Sequence, residues 1–244
     1  MSFPTTQWTH LAQATLNGNA AGQEALAAMC EIYRKPVEAF IAARGYRDGE
    51  VEDLVQEFFL RWLKSEAWKR AERVRGRFRT FLLGGVQHLL AHHQRHAGRQ
   101  KRGGGEVKVS LEELSEAGIE LPDFSDPAAS EFDRRWAVTV VENALARLEE
   151  EFRHRGKAEE FSVLRRFLPG SAGRMTMEEA ARRMGHSVIT VKAAIHRLRM
   201  KFRTALTSCV AATVSTPEEV HEEMQYLRSL LAGGESHGAP EAQP

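Results

Sequence analysis

Apolar residues along this chain recur at steps of three and four, and hardly anywhere alternate with polar ones, so the pattern predicts helices and no sheet. Thr6 to Thr15 reads as a short first helix. Ala20 to Arg44 is a longer one, with Leu26, Met29, Tyr33, Val37, Phe40 and Ile41 on a common side. Pro36 should kink or split it, because its ring removes an amide donor inside the helix. Asp48 to Ser65 follows, with Val51, Leu54, Val55, Phe58, Trp62 and Leu63 inward and Glu52, Asp53, Gln56, Glu57 and Arg61 outward. A basic connection bearing an aromatic runs from Glu66 to Arg77, and a further helix from Phe78 to about His96.

Gly103 to Gly105 breaks the pattern, and the acidic, proline-containing stretch to Asp133 has the composition of an exposed linker with at most a short helix near Leu111 to Ala117. Periodicity returns at Arg134. Trp136, Val140, Ala144, Leu145 and Leu148 make one face, and Phe161, Leu164, Phe167 and Leu168 another. One more helix is expected from Pro217 to Leu231, aligned on Val220, Met224, Leu227 and Leu231, before a tail of disordered composition. The expected fold is all-α: one helical domain over 1–102, an acidic flexible linker over 103–133, a second helical domain over 134–207 and a C-terminal extension over 208–244.

The stretch from Thr176 to Leu206 carries the most information, because it has the form of two short helices around a tight turn. Thr176 is placed to cap the first helix while Glu179 reaches back to the free amide, and Gly185 stands where a helix ends in a left-handed residue. Ser187 is the next N-cap. Val188, Val191, Ile195, Leu198 and Phe202 then form a buried stripe, which leaves Thr190, Lys192, Ala193, His196, Arg197, Lys201 and Arg203 outward. From Arg182 to Arg203 there are seven Lys or Arg and no acid. A charged helix face is usually only solvated, but cap, turn glycine and stripe together point to a helix-turn-helix that enters a DNA groove.

A formal net charge of +1 over 244 residues hides opposed segments. Arg61 to Arg102 carries twelve Lys or Arg against Glu66 and Glu72, a local +10, and Glu106 to Asp133 carries nine acids against Lys108, a local −8. Cys30 and Cys209 lie in apolar patterns without a CxxC neighbour, which predicts free thiols rather than a disulfide scaffold or zinc site. His92 and His96 are one helical turn apart, but with no carboxylate or thiol nearby and cations all around, no metal site is expected. No apolar run approaches the roughly 20 residues a bilayer span needs, and the N-terminus lacks the blocks of a signal peptide, so a soluble, cytoplasmic protein is expected. Paired carboxylates, a nucleophile with its base and a phosphate-cradling glycine loop are all missing, which argues against an enzyme and against a bound cofactor.

EDLVQEFFLRWL (52–63), GRFRTFLLGGVQHLLAHHQRHAGRQKRGGG (76–105) and the helix-turn-helix, in this order, closely resemble bacterial RNA polymerase sigma factors of the extracytoplasmic-function (ECF) type, within the sigma-70 superfamily. FPTTQW near the start, KRGGG, the Trp136 helix and the tail ATVSTPEEVHEEMQYLRSLL resemble one subgroup of them, so the likeness spans about residues 3 to 232. It implies that 1–102 is sigma region 2 and 134–207 sigma region 4. The partners it implies are core RNA polymerase, through its clamp helices and flap, and promoter DNA, with an anti-sigma factor as a further partner that the family allows. Asp53, Gln56, Glu57 and Arg61 match the surface that docks on the clamp helices, although residue pattern alone reads them as solvated charges.

Trp68, Arg75, Arg77, Arg79, His88, His92, Arg95 and Arg99 fall in the parts that open and hold the −10 promoter element, where cations meet phosphate and unpaired bases need surfaces to stack on. Phe78, Phe81 and Trp62 have core spacing instead. His88 and His92 depart from the family's commoner Asn and Asp or Asn, which implies an altered −10 preference. Ser187, Thr190, Lys192, Ala193, His196 and Arg197 match the positions that enter the −35 major groove, with Arg199, Lys201 and Arg203 available for phosphates. Val188 and Ile189 depart from the usual acidic-then-glycine start and are expected to pack against the preceding helix, the other use of such side chains being contact with thymine methyls. The acidic linker has three readings, as a nucleic-acid mimic, a cover for the basic domains or a plain spacer. A helix-turn-helix regulator acting without polymerase is the competing function, and it has no need of the EDLVQEFFLRWL helix.

Overall fold

The computed structural model of the chain describes residues 20–64, 78–100, 123–169, 175–214 and 216–233, of which 20–31, 63–64, 96–100 and 233 are described by their backbone alone. The helices expected over Thr6 to Thr15 and Leu111 to Ala117, the basic connection to Arg77 and the C-terminal tail lie outside the described residues. Among the described residues there are eight α-helices and no strand: α1 (Ala20–Ala43), α2 (Asp48–Lys64), α3 (Phe78–Gln100), α4 (Pro127–His154), α5 (Ala158–Leu164), α6 (Met177–Met184), α7 (Val188–Ala211) and α8 (Pro217–Gly233). A short 3-10 turn, Arg165–Phe167, follows α5. The all-α class expected from the periodicity is what the chain adopts. No helix among the described residues is long and apolar enough to cross a membrane.

The chain divides into two compact units, one formed by Met1–Thr139 together with Val210–Pro244 and the other by Val140–Cys209. The core of the first unit joins Tyr33, Val37, Phe40 and Ile41 of α1 to Val51, Leu54, Val55, Phe58 and Trp62 of α2, all buried, which are the stripes that the spacing predicts. From α3 come Phe78 and Phe81, buried as expected, and with them Leu82, Val86 and Leu89. Phe78 sets its ring edge-on to Tyr33 at 4.8 Å and to Trp62 at 5.8 Å, so one side chain knits three helices. At Gly85 a Cβ would stand 3.3 Å from the Phe58 ring, a tight contact that the ring would have to relieve by a few tenths of an ångström.

One expectation is narrowed and another fails in this unit. α1 runs through Pro36 without being split, since the amide lost there is one bond in a helix whose flanking turns bury Ile32, Tyr33, Val37 and Phe40. The linker also ends earlier than Asp133: Asp126 caps the next helix through its carboxylate to the Ala128 amide at 3.0 Å, and Pro127 opens α4 at the position where a missing N–H is harmless. Ala128, Ala129, Phe132 and Asp133, assigned to a flexible tether, are buried. Asp126 is held by Arg44 (Nε to Oδ2, 2.8 Å), and Gln87 exchanges two hydrogen bonds with the Asp123 backbone, at 2.8 and 2.9 Å. Part of the acidity that suggested a solvated spacer is therefore internal pairing.

α8 belongs to the same unit, where Met224 and Leu227 are buried along with Val210 and Val214 just before it. Its start is a complete capping box: Glu219 N–H donates to Thr216 Oγ1 at 3.3 Å and Thr216 N–H to Glu219 Oε2 at 3.2 Å. The second unit buries Val140, Ala144 and Leu148 of α4, Phe161 and Leu164 of α5, Leu168, Ala180 and Ala181 of α6, and Val191, Ala194, Ile195, Leu198 and Phe202 of α7.

Candidate nucleic-acid interface

In the second unit the local chemistry of the turn fixes where α7 starts and which side it shows. Thr176 Oγ1 accepts the Glu179 amide at 3.1 Å, forming half of the expected capping box, while the Glu179 carboxylate turns to Arg183 at 2.8 Å. α6 ends at Gly185, with φ +66° and ψ 28°. The His186 amide then bonds to Ala181 O and the Gly185 amide to Arg182 O, a Schellman closure that needs a left-handed residue. Ser187 restarts the helix, its hydroxyl accepting the Thr190 amide at 3.2 Å and lying 2.9 Å from the Thr190 hydroxyl.

With Val191, Ala194, Ile195, Leu198 and Phe202 inward, Thr190, Lys192, Ala193, His196, Arg197 and Arg203 are exposed. The remaining expected cations are engaged within the unit. Arg199 donates to the Phe167 carbonyl from Nε and Nη2 at 3.3 and 3.2 Å. Lys201 is half-buried, paired with Glu151 and 5.7 Å from the centre of the Phe152 ring. The hydrogen bond from Lys201 in turn holds the Glu151 carboxyl below the usual carboxylate range. Ile189 overturns its expectation: it does not pack on α6 but is 80 % exposed, and Val188 is half-buried. The reason is angular, because at about 100° per residue position 189 faces away from 191, 195 and 198.

In the first unit the outward side of α2 divides in two. Asp53 and Gln56 are exposed, with Leu60 beside them 47 % exposed. Glu57 and Arg61 are half-buried and paired with each other, and Glu57 also meets His93 of α3 at 2.8 Å. Of the residues expected at the −10 element, Trp68, Arg75 and Arg77 lie outside the described residues, as does the Arg99 side chain. His88 and His92 are half-buried on α3, and Arg95 is exposed, with Nε on the Ala91 carbonyl at 3.2 Å.

Arg79 is a correction. Expected as a phosphate-facing cation, it is 5 % exposed and held by Asp133 (Nη1 to Oδ1, 2.5 Å) and Glu223 (Nε to Oε1, 3.3 Å). Its guanidinium lies 4.3 Å from the Tyr226 ring centre and 5.5 Å from that of Trp136. Burial alone pulls the Arg79 pKa down, but Asp133 and then Glu223 outweigh it and hold the group above the ordinary arginine range. Nothing in the local pattern marks Glu223 as its partner, although the Asp-Pro pair at 126 and 127 does signal the helix start that carries Asp133.

Cys209 is buried, and burial pushes its thiol up, which suits a packing residue rather than a reactive one. Among the described residues no three His, Cys, Asp or Glu side chains gather in a way that could hold a metal ion. What the second unit offers is a capped helix with an acid-free cationic face.

The model of the ECF sigma factor family matches residues 5–208, most of the chain. The chain belongs to that family. Searches of curated proteins and of solved structures returned no match. A sigma factor of this family works with RNA polymerase in promoter-specific initiation of transcription, so core RNA polymerase and promoter DNA are its partners. The family is in general not enzymatic.

Proposed function

We propose that this sigma factor divides promoter reading between its two units while both are held on core RNA polymerase. The α7 helix enters the major groove at the −35 element, with Thr190, Lys192, Ala193, His196 and Arg197 toward the bases and Arg203 toward phosphate. The observation that carries this reading is the exposed face of α7, cationic and free of acid from Arg182 to Arg203, on a helix whose start is set by two caps. The basic connection before α3 and the α3 surface at His88, His92 and Arg95 act at the −10 element, cations on backbone and rings against unpaired bases. Asp53 and Gln56 of α2, with Leu60 beside them, dock on the polymerase clamp helices.

Gripping two elements at once makes the second contact intramolecular, so the spacing between elements becomes part of what is read. A run-off assay with purified core polymerase and a genomic fragment library tests the whole reading. The expected result is discrete start sites that depend on the added chain. A folded chain that binds DNA fragments but redirects no start site would instead be a helix-turn-helix regulator. Asp53→Ala with Gln56→Ala is expected to weaken holoenzyme assembly at least tenfold while the thermal unfolding midpoint stays the same, since both side chains are exposed.

A further inference from the structure

Within the reading of α7 as the −35 helix, we propose that Ile189, with Ala193 one turn on, reads thymine methyl groups in the major groove. At about 100° per residue, Ile189, Ala193 and His196 lie along the line of α7 directly opposite the buried Val191, Ile195 and Leu198. The outermost ridge of this helix therefore begins with aliphatic side chains, while Lys192 and Arg197 flank it. Ile189 is 80 % exposed in the first turn, next to the Ser187 cap, the end of a groove-entering helix that meets base edges. An exposed β-branched residue adds nothing to helix stability, but its stiff χ1 presents two carbon branches in a fixed direction at little entropic cost. In the major groove the apolar feature such a surface can match is the C5 methyl of thymine. The cations on either side suit a polyanion, which favours duplex DNA over an apolar protein surface as what covers the ridge.

Thymine-to-uracil exchange removes that methyl and nothing else, so it isolates the contact. Promoters are first selected from a random library by the holoenzyme carrying the full chain, and each thymine of the −35 segment is then exchanged singly for uracil. Burial of one methyl corresponds to roughly a fourfold change in affinity, so at one or two positions uracil is expected to weaken holoenzyme binding about fourfold. Ile189→Ala holoenzyme is expected to bind the thymine and uracil versions of at least one of those positions equally, a second position being the one Ala193 reads, with its affinity for core polymerase unchanged. Indifference of the wild-type holoenzyme to every exchange would overturn the role of Ile189 and leave the −35 assignment of α7 standing. So would a uracil effect of equal size at every such position in Ile189→Ala, or a loss of core binding in that variant. A holoenzyme that selects no sequence in the −35 segment would overturn the assignment of α7, and this inference with it.

Discussion

Arg79 and Asp133, 54 residues apart in the chain, form a 2.5 Å ion pair in the interior of the first unit. Glu223 of α8 completes the site, and Tyr226 donates its hydroxyl to Asp133 at 2.5 Å. Two carboxylates share the one guanidinium, which makes that cation hard to replace. It also ties α3, the N-terminal turns of α4 and α8 together, so the C-terminal helix is part of the fold that carries α2.

Arg79→Met keeps much of the side-chain volume but leaves both carboxylates buried without their cation. We expect a loss of about 3–5 kcal/mol in the urea unfolding of this unit, the usual range when one partner of a buried pair is removed. Adding Asp133→Asn and Glu223→Gln should recover a substantial share of that loss, because the uncompensated charge is then gone. Additive losses in that series would mean that the three side chains do not act as one site.

The same cluster predicts an alkaline limb of stability. Burial first, and then the hydrogen bond to Asp133, push the Tyr226 phenol up from 10.0 to about 12. A pKa raised in the folded state contributes stability that is fully present below the unfolded value of 10.0 and lost as pH climbs toward about 12. Burial also raises Tyr33, so Tyr226→Phe should flatten only its own share of the decline. The check is the urea midpoint from pH 9 to pH 12 in both proteins; parallel curves would exclude Tyr226 as a contributor.

Much of this was legible in the residue pattern, and the failures share a physical cause. Steps of three and four located α2 and α7 and sorted Phe58, Trp62, Ile195 and Leu198 inward, because helical burial is a local periodic signal. Gly185 announced its left-handed turn for the same reason. Arg79 was misread because it stands among cations whose neighbours give no hint of partners 54 and 144 residues away. Asp126 and Pro127 did signal a helix start, but the acidic composition around them favoured a linker. Ile189 was misread through its chemistry alone, since its angle relative to Val191 already put it outward.

Gly185→Ala should destabilise the second unit by about 1–2 kcal/mol, the cost of holding a Cβ in the left-handed region. Beyond the glycine and its chain neighbours nothing lies within 4 Å of the position a Cβ would take, so strain in the backbone is the effect expected and no packing clash contributes. Gly185→Asn should cost less, because asparagine tolerates this conformation. Thermal unfolding of the three proteins gives the ranking Gly, Asn, Ala. An equal loss for Asn and Ala would point to a different origin.

The cations of α7 should not contribute equally to DNA binding. Lys192 and Arg197 are exposed, whereas Lys201 is half-buried, paired with Glu151 and set against Phe152. A lysine that must leave a carboxylate to meet a phosphate recovers little, because one ion pair is exchanged for another. Arg203→Ala, at the exposed cation turned toward phosphate, is therefore expected to weaken holoenzyme binding to a promoter and to lower the slope of log affinity against log salt by about 1. Lys201→Ala should leave that slope nearly unchanged and act on stability instead, since it takes one of two cations from Glu151, which keeps Arg155, and uncovers Phe152. Binding titrations across a salt series distinguish the two. A full drop in slope for Lys201→Ala would show that the Glu151 pair opens when DNA arrives.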